Sequence, residues 1–261
     1  MRPLLLAALL ASLAATSAAA GDLRDFCAER PGKATPPCIL DQGHLQLETG
    51  LADAVFVRGR GRAGHEDTYA LGASEVRFGL THRAEVEAGW SPLIVDHTRG
   101  AGRTTGVGDA VFGLRTALTD PDADGPAASL QGFVTAPTAT HGLGAGGWTG
   151  GLRLPLAAPL GDLDLGATPE ADLVRDADGH GTHLALQGAV GLGHTFGDVT
   201  VGGELWGQMD DDPAHREWQA SFDLTGALML GRDVQLDAGA NLGLNHATPN
   251  VEVYAGIARR F

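Results

Sequence analysis

Apolar and polar residues alternate along most of this chain. Between Val234 and Leu244, every second residue is Val, Leu or Ala, and the residues between them are Gln, Asp, Gly or Asn. Because successive side chains of a β-strand point to opposite faces, this period of two indicates a strand with one apolar face. A helix is excluded over such a length, since its apolar face would recur every three or four residues.

The same alternation recurs in segments of about ten or more residues, the length of a tilted strand that crosses a bilayer. Strands of soluble proteins average only about five or six residues. The predicted segments are 43–57, 68–80, 84–95, 106–118, 127–137, 146–158, 162–175, 183–195, 198–209, 216–230, 233–245 and 251–261. Pro137 and Pro169 are expected at strand ends or bulges, because proline cannot donate to a ladder. We therefore predict an all-β protein, a transmembrane antiparallel up-and-down β-barrel of about twelve strands.

The connections between these segments fall into two classes. Those after even-numbered segments are tight, as at 81–83 and 196–198, with a longer exception from Asp120 to Pro126. Those after odd-numbered segments are longer and polar, as from Arg58 to Asp67 and from Asp96 to Thr105. Short periplasmic turns and longer outer loops are typical of outer-membrane barrels, so both termini are predicted to lie in the periplasm.

The N-terminus has the features of an export signal. Arg2 precedes an apolar run from Leu4 to Leu13, and Ala18 to Ala20 offer small residues for cleavage. This run is too short for a helix that spans about 30 Å of hydrocarbon. We expect residues 1–20 to be a cleaved signal peptide and the mature protein to lie in the outer membrane.

Residues 21–42 precede the first predicted strand and contain the two cysteines of the chain, Cys27 and Cys38. In the oxidising periplasm this pair is expected to form a disulfide. The spacing of the cysteines does not match a metal site. The segment is too short for a folded plug domain, so it either hangs in the periplasm or enters the barrel, and we expect the first arrangement. The barrel is predicted to span residues 43–261.

The formal net charge of −14 limits the expected partners. Phosphate binding requires clustered basic residues, and Lys33 is the one lysine after the predicted signal peptide, so nucleic acid is not an expected partner. The abundance of glycine, at 39 residues, disfavours a helical protein. The predicted partners are the lipid bilayer of the outer membrane and a small solute that the sequence does not identify; no cofactor is predicted.

If the apolar rows face lipid, the polar rows face the lumen and their charged residues become candidates for its lining. These are Glu48, Glu75, Arg77, Glu85, Glu87, Asp109, Arg115, Arg153, Glu204, Asp223, Asp237 and Glu252, with Glu170, Asp172 and Arg260 as further members. Acidic residues outnumber basic ones, so an open lumen would favour cations or neutral polar solutes. The alternative is a network of ion pairs that fills the barrel, because twelve strands lie between the filled and the open sizes.

Two acidic, histidine-containing runs and one glycine-rich run are candidates for loops. Asp176–His183 resembles a calcium loop but lacks the closing glutamate, and Asp210–His215 has no metal-site spacing, so solvated external loops are favoured. Gly142–Gly147 lacks the Lys-Ser/Thr pair of a phosphate loop. No metal site is predicted.

Three other classes of protein share part of this pattern. A soluble β-sandwich, or a soluble closed barrel with a packed interior, would have the same period, with its polar row facing water. An outer-membrane lipid-modifying enzyme would place a serine and a histidine on the outer rim. None of Ser74, Ser91, Ser129 and Ser221 lies in a Gly-x-Ser-x-Gly motif or beside a histidine, so an enzyme is not expected. A structural or adhesive barrel that uses its outer loops is the third alternative.

The final strand, VEVYAGIARRF, resembles the C-terminal signature by which the outer-membrane assembly machinery recognises its substrates, with alternating apolar residues and a final aromatic, Phe261. The segments CAERPGKATPPCILDQGHLQLETGLAD, GVGDAVFGLRTAL and QLDAGANLGLN resemble the family of outer-membrane transporters of the phenol-degradation meta-pathway. This resemblance implies an outer-membrane β-barrel with a role in transport. It implies no catalytic or binding residues.

Overall fold

The computed structural model describes residues 23–59 and 65–261, and the predicted signal peptide lies outside these residues. The described residues form sixteen β-segments that belong to one sheet. No helix in this part of the chain is long and apolar enough to cross a membrane.

Four strands consist of two segments separated by a short irregularity, so the sixteen segments make twelve strands. The strands are β1 (Leu45–Arg58), β2 (His65–Leu71 and Ala73–Thr81), β3 (Ala84–Trp90 and Leu93–Thr98), β4 (Gly102–Gly106 and Ala110–Ala117), β5 (Ala127–Ala136), β6 (Thr149–Arg153 and Leu156–Leu160), β7 (Leu163–Arg175), β8 (Thr182–Phe196), β9 (Val199–Asp211), β10 (Arg216–Met229), β11 (Val234–Gly243) and β12 (Val251–Arg260).

Each strand is antiparallel to its neighbours in chain order, and β1 also pairs with β12. This last ladder runs from Gln46 opposite Arg260 to Phe56 opposite Val251. It closes the sheet into a barrel, in which the outer segment of β4, Gly102–Gly106, pairs with β3 on one side only. The predicted fold class, an all-β antiparallel barrel of about twelve strands, is confirmed.

The barrel has an apolar outer face and a polar interior. In β8, the side chains of Leu184 and Leu186 are exposed, whereas Ala185 between them is 1% exposed. The largest fully buried side chains include Arg77 and Arg115, at 0%. A soluble β-sandwich or soluble closed barrel would bury its apolar row instead, so that alternative is wrong.

Most strand ends lie close to the predicted ones, with one clear difference. The connection predicted from Asp96 to Thr105 is mostly strand, because β3 continues to Thr98 and β4 begins at Gly102. Residues 93–98 pair with the first segment of β2, and this ladder supplies hydrogen bonds that the weak local alternation does not reveal. The outer connection is therefore only three residues long, at 99–101.

Of the two prolines expected at strand ends or bulges, one lies at a strand end and the other lies inside a strand. Pro137 follows the last residue of β5, as predicted. Pro169 lies inside β7, opposite the irregularity of β6 at residues 154–155, and its carbonyl accepts a hydrogen bond from Leu154 N at 3.0 Å. A proline is tolerated there because the ladder of β6 is already interrupted.

Tight turns join the strands at one end of the barrel. Gly161 and Gly197, with φ of 64° and 62°, each precede an aspartate in a two-residue turn. Such turns require a positive φ at the first position, which glycine adopts without strain. The predicted long exception, which spans residues 118–126 in the structure, lies at this same end.

Candidate functional site

Residues 23–42, which we call the N-terminal segment, lie inside the barrel. Arg30 Nη2 donates to Asp237 Oδ1 of β11 at 3.0 Å, and Leu40 N donates to Glu85 Oε2 of β3 at 2.7 Å. This placement differs from the expected arrangement, in which the segment hangs outside the barrel. The physical reason is charge: a buried carboxylate is costly without a cation or an N–H donor, and the segment provides both.

The disulfide between Cys27 and Cys38, predicted from the sequence, is present, with the two Cα atoms 6.4 Å apart. It closes residues 27–38 into what we call the disulfide loop. Arg77 donates from Nη1 to Cys27 O at 2.8 Å and from Nη2 to Cys38 O at 3.3 Å. Arg115 Nη1 donates to Cys38 O at 3.4 Å. Two arginines of the wall therefore hold both ends of the loop.

The same two arginines form the centre of a buried ion-pair cluster. Arg77 donates to Glu85 Oε1 at 2.6 Å from Nη2 and lies 3.2 Å from Glu48 Oε1. Arg115 pairs with Glu29 of the segment and lies 3.1 Å from Glu87 Oε1. The wall residues of this cluster are almost entirely buried and Glu29 is 14% exposed, so each group depends on its partner for compensation of its lost hydration.

A second group of contacts joins the segment to the wall formed by β9 to β12. Glu204 of β9 accepts hydrogen bonds from Lys33 N at 2.7 Å and Ala34 N at 3.3 Å. Gly32 N donates to the Tyr254 hydroxyl at 3.0 Å. Gly32 has a φ of 100°, and a Cβ atom there would lie 2.4 Å from Glu204 Oε1, so the approach requires glycine.

Among the described residues, one cavity lies on each side of the disulfide loop inside the barrel. The larger, of about 710 Å³, reaches residues near the longer connections, such as Trp90 and Asp109. The smaller, of about 400 Å³, reaches residues near the tight turns, such as Thr195 and Thr200. Arg30 and Thr35 border both cavities, so the loop separates them along the barrel axis.

The predicted lining residues lie on the inner rows. Buried within the barrel are Glu48, Arg77, Glu85, Glu87, Arg115, Asp172, Glu204, Asp223, Asp237 and Arg260. Glu75, Asp109, Arg153 and Glu170 border the larger cavity, and Glu252 accepts a hydrogen bond from Asn241 Nδ2 at 2.6 Å. That these residues line a path for a solute stays a prediction.

Sequence reasoning missed four residues that the structure brings into the same interior. Arg30 and Lys33 were expected to lie outside the barrel. The aromatic residues that they contact, Tyr254 and Trp206, were not recognised as candidate site residues. The Arg30 guanidinium lies 5.3 Å from the centroid of the Tyr254 ring. The excess of acid on the predicted inner rows was the available signal, since those charges require cations from elsewhere in the chain.

The N-terminal segment is also attached at the end of the barrel that carries the tight turns. Arg24 Nε donates to Asp122 Oδ1 at 2.7 Å, and Arg24 Nη2 donates to His82 O at 3.1 Å. The hydrogen bond from Arg24 lowers the pKa of the Asp122 carboxyl. The long connection between β4 and β5 therefore contributes an anchor for the segment.

At the opposite end, the two acidic runs that the sequence placed in separate loops meet at one histidine. His183 Nδ1 lies 2.8 Å from Asp176 Oδ1, and His183 Nε2 lies 2.6 Å from Asp210 Oδ1. Asp212 Oδ2 accepts a hydrogen bond from Ala177 N at 2.7 Å. These contacts join the β7–β8 and β9–β10 connections to each other.

A family model described as "Putative MetA-pathway of phenol degradation" matches residues 28–261, which includes most of the disulfide loop as well as the barrel. The chain belongs to this family. The match confirms the family to which the sequence was assigned by resemblance. A search of curated proteins finds no match.

Two solved structures show a similar fold. The COG4313 outer membrane channel from Pseudomonas putida F1 aligns with a TM-score of 0.68 and 16% identity, over 89% of this chain and 99% of that one. The beta domain of the Bordetella autotransporter BrkA aligns with a TM-score of 0.54 and 14% identity, over 85% of this chain and 100% of that one. At these sequence identities, the two comparisons show that the folds are similar.

Proposed function

We propose that this member of the family is an outer-membrane channel for small cationic or neutral polar solutes, with the N-terminal segment as its constriction. The larger cavity carries the proposal. Seven carboxylate side chains line it, against three basic ones. In a narrow space with low-dielectric walls, such an excess concentrates cations and repels anions.

The shared fold supports this proposal without identifying the solute. The protein from Pseudomonas putida F1 is described as an outer membrane channel, and its chain is matched over 99% of its length. The inner rows of the present barrel are mostly polar, which favours a polar solute over an aromatic hydrocarbon.

We propose that the protein lies in the outer membrane and that residues 1–20 are the signal peptide that directs it there. The tight turns and both termini would then face the periplasm. The final strand and Phe261 would be recognised by the barrel-assembly machinery. Phe261 supports this role by its position, since its backbone N–H donates to Leu45 O at 2.7 Å at the seam between β1 and β12.

Recordings in planar bilayers test the proposed function directly. Under a KCl gradient, we expect small channels whose reversal potential indicates preference for K⁺ over Cl⁻, because the cavity lining is predominantly acidic. A variant with Glu75→Gln, Asp109→Asn and Glu170→Gln should lose most of this preference. Asp178→Asn, in an exposed external loop, is the matched control and should leave the preference unchanged. The absence of channels, or a preference for anions, would contradict the proposal.

The lipid-facing role of the outer row has its own test. Val190 lies near the middle of β8 on the exposed row, and Leu184 lies near its end. Val190→Arg is expected to destabilise the folded protein in phospholipid vesicles by about 2–4 kcal/mol, and Leu184→Arg by about 0–1 kcal/mol. Denaturant titration measures both values. Equal effects at the two depths would contradict a membrane-spanning β8.

The enzymatic alternative is tested by incubating the refolded protein with phospholipid vesicles and measuring released fatty acid. Two of the candidate serines have polar partners other than histidine: Ser74 Oγ donates to Gly72 O at 2.9 Å, and Ser221 Oγ accepts from Lys33. We expect no hydrolysis above the buffer control.

A further inference from the structure

The ammonium group of Lys33 occupies a set of contacts on the barrel wall. Its Nζ donates to Ser221 Oγ at 2.9 Å, lies 3.6 Å from Asp223 Oδ2, and lies 4.2 Å from the centroid of the Trp206 ring. An aromatic face, a carboxylate and a hydroxyl acceptor are the groups by which proteins recognise an organic ammonium ion. The wall therefore provides the groups that attract an ammonium ion, and the N-terminal segment provides the ammonium ion itself.

The strands themselves provide no other cation for this site. The side chain of Asp223 is fully buried, and neither of its carboxylate oxygens has a hydrogen-bond partner among the described residues. Its ladder neighbours are Glu204 in β9 and Asn241 in β11, one acidic and one neutral. Across β9 to β11, residues 199–211, 216–229 and 234–243, the inner rows contain no arginine or lysine. A buried carboxylate in this position requires a cation from outside the wall.

The Lys33 ammonium can leave these contacts more readily than the side chain of a strand residue could. Lys33 is on the N-terminal segment, its side chain is 26% exposed, and both Lys33 and Trp206 border the larger cavity. A solute in that cavity can therefore reach the Trp206 face. When one ammonium replaces another, Asp223 keeps its compensating charge, so the exchange avoids an unpaired buried ion.

We propose that Trp206, Ser221 and Asp223 form a binding site for the ammonium group of a small organic amine, and that Lys33 occupies this site when the segment is seated. The proposal rests on the proposed channel function and names the class of solute: primary alkylammonium ions. Binding of the solute competes with Lys33 and so weakens the hold of the wall on the segment.

Calorimetric titration of the refolded full-length chain with butylammonium chloride tests the site without measuring transport. Lys33→Met keeps the apolar stem and removes the competitor, so the affinity for butylammonium should rise at least several-fold above wild type. Asp223→Asn should abolish measurable binding. Trp206→Leu keeps most of the volume but removes the aromatic face, and should weaken binding in the Lys33→Met background. Butanol, which lacks the charge, should not bind.

Arg216→Met is the matched control, since it removes an exposed cation at the outer end of β10 and should leave the affinity at the wild-type value. Equal affinity of wild type and Lys33→Met, or unchanged binding by Asp223→Asn, would overturn the proposal. Circular dichroism identifies any variant that fails to fold, and Trp206→Leu then provides the test in place of Asp223→Asn. Cation-selective channels without butylammonium binding would refute the ammonium site alone, whereas binding without channels would refute the channel function alone.

Discussion

Removing residues 23–42 is expected to increase the single-channel conductance several-fold. The disulfide loop lies between two cavities of about 710 and 400 Å³, and without it these volumes become one continuous lumen. The removed residues carry three acidic and three basic side chains, so the net charge does not change. The lumen should therefore remain cation-preferring as it widens. Planar-bilayer recording of the two proteins measures both quantities.

The double variant Cys27→Ser and Cys38→Ser is the matched control for this deletion. It keeps every charge of the segment but opens the loop that Arg77 and Arg115 hold. We expect an intermediate conductance with more frequent openings, and reduction of the wild-type disulfide should have the same effect. A deletion variant with wild-type conductance would show that the segment does not constrict the path.

Replacing Arg77 by methionine is expected to destabilise the protein by about 3–5 kcal/mol, the usual cost of removing one partner of a buried ion pair. The guanidinium is fully buried, and its removal leaves Glu48 and Glu85 without their nearest cation. Guanidinium chloride titration of the protein in phospholipid vesicles, followed by tryptophan fluorescence, measures the change in the free energy of unfolding.

Two further variants distinguish the effect of removing a buried charge from the effect of removing any charged side chain. Arg216→Met removes an exposed arginine that pairs with Asp211 and should cost less than about 1 kcal/mol. Adding Glu85→Gln to Arg77→Met should recover part of the lost stability, because it removes a buried charge that has lost its partner. If Arg77→Met and Arg216→Met have equal effects, the interior is hydrated and the ion-pair cluster adds little stability.

Much of the barrel could be predicted from the sequence because a strand with one face toward lipid has an apolar residue at every second position. The rows of β8 and β11 are clear examples, and their bounds were predicted to within a few residues. The outer ends of β3 and β4 were missed because residues such as Thr98, Gly102 and Arg103 do not alternate. Their pairing with neighbouring strands is a tertiary property.

The candidate site was predicted only in part, for a related reason. Alternation places Glu204, Asp223 and Asp237 on inner rows, but it cannot show which residue of the N-terminal segment contacts each carboxylate. The partners Arg30 and Lys33 lie about 170 to 210 residues away in sequence, as the Arg30–Asp237 and Lys33–Glu204 separations of 207 and 171 show. Such pairs depend on the closed barrel, and no local pattern encodes them.

The barrel closes between its first and last strands, and the N-terminal segment crosses this seam. Glu48 of β1 accepts hydrogen bonds from Glu29 N and Arg30 N, at 3.0 and 3.1 Å. On the other side, Tyr254 of β12 accepts one from Gly32 N at 3.0 Å. The segment therefore links β1 to β12 independently of the ladder between these strands. Separation of β1 from β12 requires these additional hydrogen bonds to break as well. The barrel should therefore open most easily along this seam when the segment has left the interior.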